Sequence, residues 1–287
     1  MLMHHRIGRK GDPFPHLDVG EFRRQLEWLA RHCEVIGPEQ LRDAAQAPPR
    51  RRTPVLLTFD DGTRDYYDVA YPVLREFGMR AVVFIVTDHI DSSRLLWFDR
   101  LHLAVHAARR EHVRLPWRPE VCLPLGGSRN TSVIEACKRH LKGVSDDIKV
   151  RDMEALVTAL GNPRLPDVGR QMMSWDEVRR SMDLTIYGGH THTHPLMSQV
   201  DDVRLEHEVR ACRDRIVAET GTHPTLFAYP NGAFTPAAKA VVSRFGFDTA
   251  FSTIEGLANG NTDWLEVRRI GVGHVVPTVW MMKQSWT

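Results

Sequence analysis

The chain has 287 residues, of which 26% are charged, and a formal net charge of +2 at pH 7. So small a net charge argues against a nucleic-acid interface made by bulk charge, and the length suits a single α/β domain with an insertion. There is no apolar stretch of 18 residues, and the four scattered cysteines form no CxxC pair, so we expect no transmembrane segment, disulfide framework or cysteine zinc site.

The beginning of the chain is the basis for a prediction of location. Residues 1–6 lack the basic n-region and the apolar h-region of a signal peptide. We therefore expect a cytoplasmic protein, with the inner face of the membrane as a second place of action. An export signal upstream of Met1 is the alternative that this prediction leaves open.

The first 86 residues alternate strands and helices. Residues 2–7 predict a short strand that carries His4 and His5, and residues 19–32 show the apolar stripe of an amphipathic helix. Strand, helix, strand, helix and strand are then predicted at 33–36, 38–45, 54–59, 64–77 and 80–86. Near-continuous apolar strands between helices indicate a parallel sheet covered by helices, either a barrel or an open sheet.

Residues 88–170 break this alternation. Helices are predicted at 95–110, 131–142 and 149–160, with a proline-rich irregular hairpin at 113–125. We interpret this stretch as an insertion within a single catalytic domain of residues 1–287, and leave open whether it forms a lid or a substrate wall.

The alternation resumes after the insertion. Ser174 is an expected helix N-cap, with Glu177 as its capping-box partner. Strands are predicted at 184–189, 225–229, 248–252 and 267–272, with helices at 201–220 and 236–245 between them.

Two adjacent carboxylates follow the apolar strand at 54–59. Asp60 and Asp61 lie where that strand should end, and Gly62 allows the bend that would turn both side chains toward one pocket. Taken alone, the pair could be a helix N-cap beside an exposed turn residue. A functional reading needs further residues.

Three histidines within five residues provide the further evidence for a functional site. His190, His192 and His194 follow a predicted strand, between Gly188-Gly189 and Pro195, which exclude a regular helix. A histidine-rich surface loop is the plainer interpretation. Imidazole with carboxylate, however, is the ligand set of an open catalytic site for zinc or a related divalent ion. One aspartate would then bind the metal and its neighbour would carry a proton.

These motifs resemble a known family. Residues 58–62, Thr-Phe-Asp-Asp-Gly, and the His190-Thr191-x-x-His194 pattern look like the first two signature motifs of the polysaccharide deacetylase family, also called NodB homology or carbohydrate esterase family four. The resemblance implies a distorted (β/α)7 barrel of α/β class and metal-dependent removal of an N-acetyl group from an amino sugar. It makes Asp60 the general base and Asp61, His190 and His194 the metal ligands. Zn²⁺ is the expected metal, with Co²⁺, Ni²⁺ or Mn²⁺ as alternatives. His192 falls at a variable position.

The third motif is only partly matched. Residues 227–232, Phe-Ala-Tyr-Pro-Asn-Gly, resemble it, but Ala228 stands where an arginine commonly orients the base. We expect Tyr229, Pro230 and Asn231 to contact substrate, and backbone N–H groups near Tyr229 to help hold the oxyanion. A plain turn is the alternative interpretation.

The general acid is the least defined residue. The stretch around His5 resembles the Tyr-His-Arg strand at the front of the poly-N-acetylglucosamine deacetylase branch, which implies His5 as the acid that protonates the leaving amine. His274 near the C-terminus is the alternative.

The predicted function is therefore N-deacetylation of an N-acetylhexosamine in a glycan, a glycolipid or a lipid-linked glycan precursor, with release of acetate. Hydrolysis of a small non-sugar amide on the same barrel is one alternative. A catalytically silent glycan-binding module is another, which only the missing third-motif arginine favours. The sequence leaves the particular carbohydrate and the oligomeric state open.

Overall fold

A closed barrel of seven parallel strands forms the centre of the computed structural model, which describes residues 1–48 and 51–272. The strands are β1 Leu2–His4, β2 Leu57–Phe59, β3 Ala81–Ile85, β4 Thr185–Gly189, β5 Leu226–Ala228, β6 Thr249–Glu255 and β7 Val267–Gly271. They pair in chain order, and β1 closes the ring by pairing with both β2 and β7. The predicted (β/α)7 barrel is confirmed, and the open sheet is excluded.

The predicted strand at 54–59 is divided into two. Thr53–Val55 pairs with Cys33–Val35 in a separate two-stranded sheet, and only β2 belongs to the barrel. The change of partner occurs at Leu56, whose carbonyl accepts a hydrogen bond from Leu2 N, 2.9 Å away, whereas the Val55 carbonyl still accepts from Ile36 N. A second small sheet pairs Ile7–Gly8 with Leu17–Asp18.

Helices connect the barrel strands largely as predicted. They are Val19–His32, Leu41–Gln46, Tyr71–Phe77, Trp175–Arg180, Asp202–Thr220 and Pro236–Arg244, with 3-10 turns at Pro38–Gln40 and Pro230–Gly232 and a π-helical turn at Tyr66–Ala70. The Ser174–Glu177 capping box is present, with both of its hydrogen bonds. None of the described helices is both long and apolar enough to span a bilayer.

The apolar faces of the helices pack on the barrel strands. Phe22, Leu26 and Leu29 of the helix Val19–His32 are buried in one cluster with Leu57 and Phe59 of β2. Full burial of each such side chain contributes about 1.5–3 kcal/mol to folding. This packing fixes the end of β2, where the two aspartates follow.

The insertion forms a compact unit of its own, built from residues 94–169 with 199–201. Its elements are the helices Trp97–Ala107, Arg129–Leu141 and Asp146–Ala159 and the antiparallel hairpin of His112–Leu115 with Arg118–Pro124. It has a separate apolar core that includes Leu101, Val133, Cys137, Leu141 and Leu156.

Candidate active site

Two aspartates follow β2 on a sharp bend. Asp61 and Gly62 both have positive φ, 78° and 75°. A Cβ on Gly62 would lie 2.8 Å from Ile85 Cγ2, so a glycine is required there. The bend buries both carboxylates, with Asp60 3% and Asp61 5% exposed.

The two outer histidines are held by a tight loop after β4. A Cβ on Gly188 would meet the Leu226 carbonyl at 2.6 Å, so β4 and β5 approach too closely for a side chain there. Thr191 and His194 have positive φ, 64° and 66°, and His194 N donates to Thr191 Oγ1 at 3.0 Å. This backbone course turns His190 and His194 toward each other, with ring centroids 5.1 Å apart.

Asp61, His190 and His194 form a buried cluster of three ligand-type side chains, whose donor atoms lie within 4.8 Å of one another. Asp61 Oδ1 is 3.5 Å from His190 Nε2 and 3.4 Å from His194 Nε2. His190 Nδ1 donates to the Ala228 carbonyl at 2.7 Å, which leaves Nε2 as the nitrogen that faces Asp61. Two imidazoles and a carboxylate so arranged fit a divalent metal ion.

The charges of this cluster are mutually stabilised. Burial would raise the pKa of Asp61, but hydrogen bonds from His190 and His194 outweigh it and hold that pKa well below its usual range. Burial would lower the pKa of His190, but Asp61 and Asp60 raise it. A proton and a metal ion would therefore compete for His190 Nε2.

Asp60 is paired with an arginine that the sequence analysis missed. Arg269 of β7 is fully buried, and its Nη1 and Nη2 donate to Asp60 Oδ1 and Oδ2, each at 2.7 Å. Arg269 also donates to Thr58 Oγ1 at 3.1 Å and to the Ser252 carbonyl at 3.0 Å. Burial would raise the pKa of Asp60, but the charge and hydrogen bonds of Arg269 outweigh it, so that pKa is lowered. The carboxylate is thus kept ionised and oriented.

Arg269 reaches Asp60 from β7, whereas Ala228 of β5 stands at the third-motif position that an arginine commonly occupies. The sequence contains a signal for the burial of Arg269. Val267 and Arg269 are buried, whereas Arg268 between them is exposed, as the alternation of a strand requires. An arginine at an inward position of an apolar strand is rare without a partner, and that observation could have identified it.

His5 lies next to the aspartates, at the end of β1. His4, the last residue of β1, is buried and pairs in register with Phe59, and Asp60 N donates to its carbonyl at 3.0 Å. His5 follows His4 directly, as Asp60 follows Phe59, and it is exposed. The alternative acid, His274, lies outside the described residues.

The third-motif residues differ in their exposure. Tyr229 is fully buried, with its hydroxyl donating to the Leu265 carbonyl at 3.0 Å and its N–H donating to the Phe251 carbonyl at 3.1 Å. Pro230 is buried too, and only Asn231 is exposed. Of the three predicted substrate contacts, Asn231 is therefore the one whose side chain is open to a ligand.

A buried glutamate supports the histidine loop. Glu208 of the helix Asp202–Thr220 is 1% exposed and accepts hydrogen bonds from His192 N at 2.9 Å, Thr193 N at 2.8 Å and Thr193 Oγ1 at 2.6 Å. His192 lies outside the three-residue cluster, with its Nδ1 2.9 Å from Thr87 Oγ1. Glu208 could not be identified from the sequence, because a lone glutamate in an amphipathic helix carries no signal of burial.

An aspartate pair and two histidines at the carboxyl ends of parallel barrel strands define a barrel with a hydrolase-like centre. A model of the polysaccharide deacetylase family matches residues 47–250, and the chain belongs to that family. The resemblance that the motifs indicated is confirmed.

Individual relatives agree with this assignment. Over 84 residues, which are 29% of this chain and 28% of the relative, the chain is 30% identical to the poly-beta-1,6-N-acetyl-D-glucosamine N-deacetylase of Staphylococcus epidermidis. The matched segments span about a third of the length of the curated relatives.

Two solved structures share the fold. The deacetylase PplD of Streptococcus pyogenes, solved in complex with acetate, gives a TM-score of 0.66 at 16% identity over 98% of this chain and 95% of that one. IcaB from Ammonifex degensii gives 0.65 at 17% identity over 99% and 94%. At such identities the likeness concerns the fold alone.

These relatives correct the predicted location. Deacetylases of this kind, IcaB among them, are secreted or periplasmic proteins, so the prediction of a cytoplasmic protein is wrong. It rested on the residues that begin the chain, which do not determine where a protein of this family acts.

Proposed function

We propose that this protein is a metal-dependent N-deacetylase that removes the acetyl group from N-acetylglucosamine units of a glycan. The observation that carries the proposal is the buried cluster of Asp61, His190 and His194, whose donor atoms lie within 4.8 Å of one another. The neighbouring carboxylate of Asp60 lies outside this cluster and is held by Arg269. Such a division gives each aspartate a separate task.

Asp61, His190 and His194 would hold the metal ion, with Zn²⁺ the first candidate because two imidazoles and one carboxylate suit it and leave positions open. When bound, such an ion polarises the acetyl carbonyl and lowers the pKa of a coordinated water. The hydrogen bond from His190 Nδ1 to the Ala228 carbonyl would keep that ring in the orientation needed for binding.

Asp60 would act as the general base. Its pKa is lowered, so it is ionised at neutral pH and able to take a proton from the attacking water. The water oxygen forms a bond to the acetyl carbon as that proton leaves. Arg269 orients the carboxylate through both of its oxygens.

His5 would act as the general acid. As the bond between the acetyl carbon and the sugar nitrogen breaks, a proton from His5 converts the nitrogen into a good leaving amine. Acetate and a free amino sugar are the products, and solvent returns both residues to their starting protonation. The exposed position of His5 at the end of β1 supports this role, because the ring is accessible to substrate.

The substrate class rests on the relatives. The Staphylococcus epidermidis protein is named for poly-beta-1,6-N-acetyl-D-glucosamine, which makes a polymer of N-acetylglucosamine the first substrate to test. Glycolipids and lipid-linked precursors are the wider class. The buried Asp60–Arg269 pair argues against the silent binding module, since the arginine whose absence favoured that alternative has a substitute.

The decisive experiment measures acetate release from a panel of substrates: poly-β-1,6-N-acetylglucosamine, chitooligosaccharides, UDP-N-acetylglucosamine and small non-sugar N-acetyl amides. We expect release from the polymer, loss of it after chelation, and recovery when Zn²⁺ or Co²⁺ is added back. Activity that survives complete removal of metal would refute the metal-dependent mechanism. Turnover of the small amides alone would favour the amidohydrolase alternative.

A further inference from the structure

A cavity of about 980 Å³ lies within the inserted unit. It is formed by the end of the helix Trp97–Ala107 with the residues that follow it, and by the segment 160–167 after the helix Asp146–Ala159. Leu103, Leu160 and Leu165 contribute apolar surface to its lining, and Arg109, Arg110 and Arg164 contribute three guanidinium groups. A volume of this order accommodates a small organic ligand.

The three arginines have no partner among the residues that the structure describes: none makes a hydrogen bond or an ion pair there. Several other arginines of the same unit are partnered, as Arg100 is with Glu154 and Arg118 with Glu120. Arginines near a helix C-terminus commonly donate to its last carbonyls, but Arg109 and Arg110 do not. All three arginines are exposed, so their donors are accessible to a ligand at this cavity.

Gly161 makes room for one of these side chains. Its φ is +89°, and a Cβ placed on it would lie 2.8 Å from Arg110 Nε. Any larger residue at this position would push the Arg110 guanidinium away from the backbone over which it lies. The glycine thus helps to keep Arg110 at the cavity.

The charge of the cavity selects among ligands. Arg109, Arg110 and Arg164 contribute +3, and Asp167, the one carboxylate in the lining, contributes −1, which leaves +2. A phosphate monoester carries about −1.5 to −2 at pH 7, whereas a uronic acid carries only −1. Guanidinium groups bind phosphate oxygens through paired hydrogen bonds, and apolar side chains accept the face of a sugar ring.

We propose that this cavity of the inserted unit binds the phosphate group of a phosphorylated sugar, with Arg109, Arg110 and Arg164 as its ligands. The site is independent of deacetylation, since it is defined by residues of the inserted unit alone. Binding can therefore be measured directly, and either proposal can fail without the other.

The test is calorimetric titration of the full chain with α-D-glucose 1-phosphate at low salt. We expect saturable binding by the wild type, weakened at least tenfold in Arg110→Ala/Arg164→Ala and weakened by added NaCl. Arg139→Ala is the matched control, because Arg139 is an exposed arginine of the same unit, away from the cavity and also without a partner among the described residues. It should bind within twofold of the wild type, and equal melting temperatures would show that both variants are folded.

A second variant keeps all charges in place. Gly161→Ala should weaken glucose 1-phosphate binding severalfold, because its Cβ displaces Arg110. Absence of wild-type binding, or equal binding by the double variant, would overturn the proposal. Equal affinity for glucose would show that the sugar ring alone is recognised, and tighter binding of glucuronate would show a carboxylate site; either result also contradicts it.

Discussion

The charged groups at the barrel site and the ion pairs on the surface of the inserted unit differ in their burial. Around the barrel site, charged groups are buried with good partners: Asp60 with Arg269, whose side chains are 3% and 0% exposed, and Glu208 with two backbone amides. In the inserted unit Asp99, Lys149 and Asp152 are buried as well, but other charges lie at the surface, as in the Arg118–Glu120 pair with both side chains 65% exposed. Buried pairs are expensive to break, whereas exposed pairs contribute little. The buried pair and its hydrogen bonds therefore hold the barrel site in one geometry, whereas the exposed charges of the insertion can change at little cost to folding.

The largest effect is expected at the base. Asp60→Asn keeps the shape of the side chain but removes its ability to take a proton, so acetate release should fall about 10²- to 10⁴-fold. Bound metal, measured by elemental analysis, should stay within about twofold, because Asp60 lies outside the ligand cluster.

His194→Ala is the companion variant, because it removes one side chain of that cluster. It should lose metal and activity together. If Asp60→Asn released acetate at the wild-type rate, or if His194→Ala retained full metal, the division of tasks between the two aspartates would be wrong.

The next largest effect is expected from Arg269. Arg269→Ala leaves the buried Asp60 carboxylate without its cation, which should cost about 3–5 kcal/mol of unfolding free energy, measured by urea denaturation. Arg268→Ala is the matched control on the same strand, because Arg268 is exposed, and it should change stability by no more than about 0.5 kcal/mol. Similar losses in the two variants would mean that the ion pair does not stabilise the barrel.

A smaller effect is expected from Glu208. Glu208→Gln removes a charge that accepts three hydrogen bonds and turns an amide NH₂ toward the loop, so stability should fall by about 1–3 kcal/mol. Because this loop presents His190 and His194, zinc affinity should fall about 10- to 100-fold. Glu206→Gln on the same helix is the control: its partly exposed ion pair with Arg244 should contribute no more than about 1 kcal/mol, and zinc affinity should stay unchanged. Unaltered zinc affinity in Glu208→Gln would show that the loop holds its geometry without the carboxylate.

The residues that could be predicted from the sequence are those grouped in short local motifs. Asp60, Asp61, His190 and His194 are grouped in short motifs at strand ends, so their association follows from local patterns and from the rule that parallel strands end at one face. The helix Val19–His32 has the predicted bounds, because its apolar stripe is a local signal. The seven strands followed from their apolar runs.

Partners distant in the chain were not predictable in the same way. Arg269 lies 209 residues from Asp60, and nothing near either residue specifies the other. The division of the strand at 54–59 between two sheets depends on where β1 pairs, which is a tertiary effect. The prediction of location was wrong because it rested on residues 1–6, which contain a barrel strand and do not determine where the protein acts.

The smallest effect is expected for an exposed ion pair of the inserted unit. Arg100 and Glu154 form an ion pair through two hydrogen bonds, of 2.5 and 2.9 Å, but the side chains are 34% and 58% exposed. A double-mutant cycle with Arg100→Ala and Glu154→Ala should give a coupling energy of about 0.2–1 kcal/mol. High salt should reduce that coupling further, because solvent ions screen exposed charges. A coupling energy as large as that of Asp60 with Arg269 would show that the exposed pair and the buried pair contribute equally to stability.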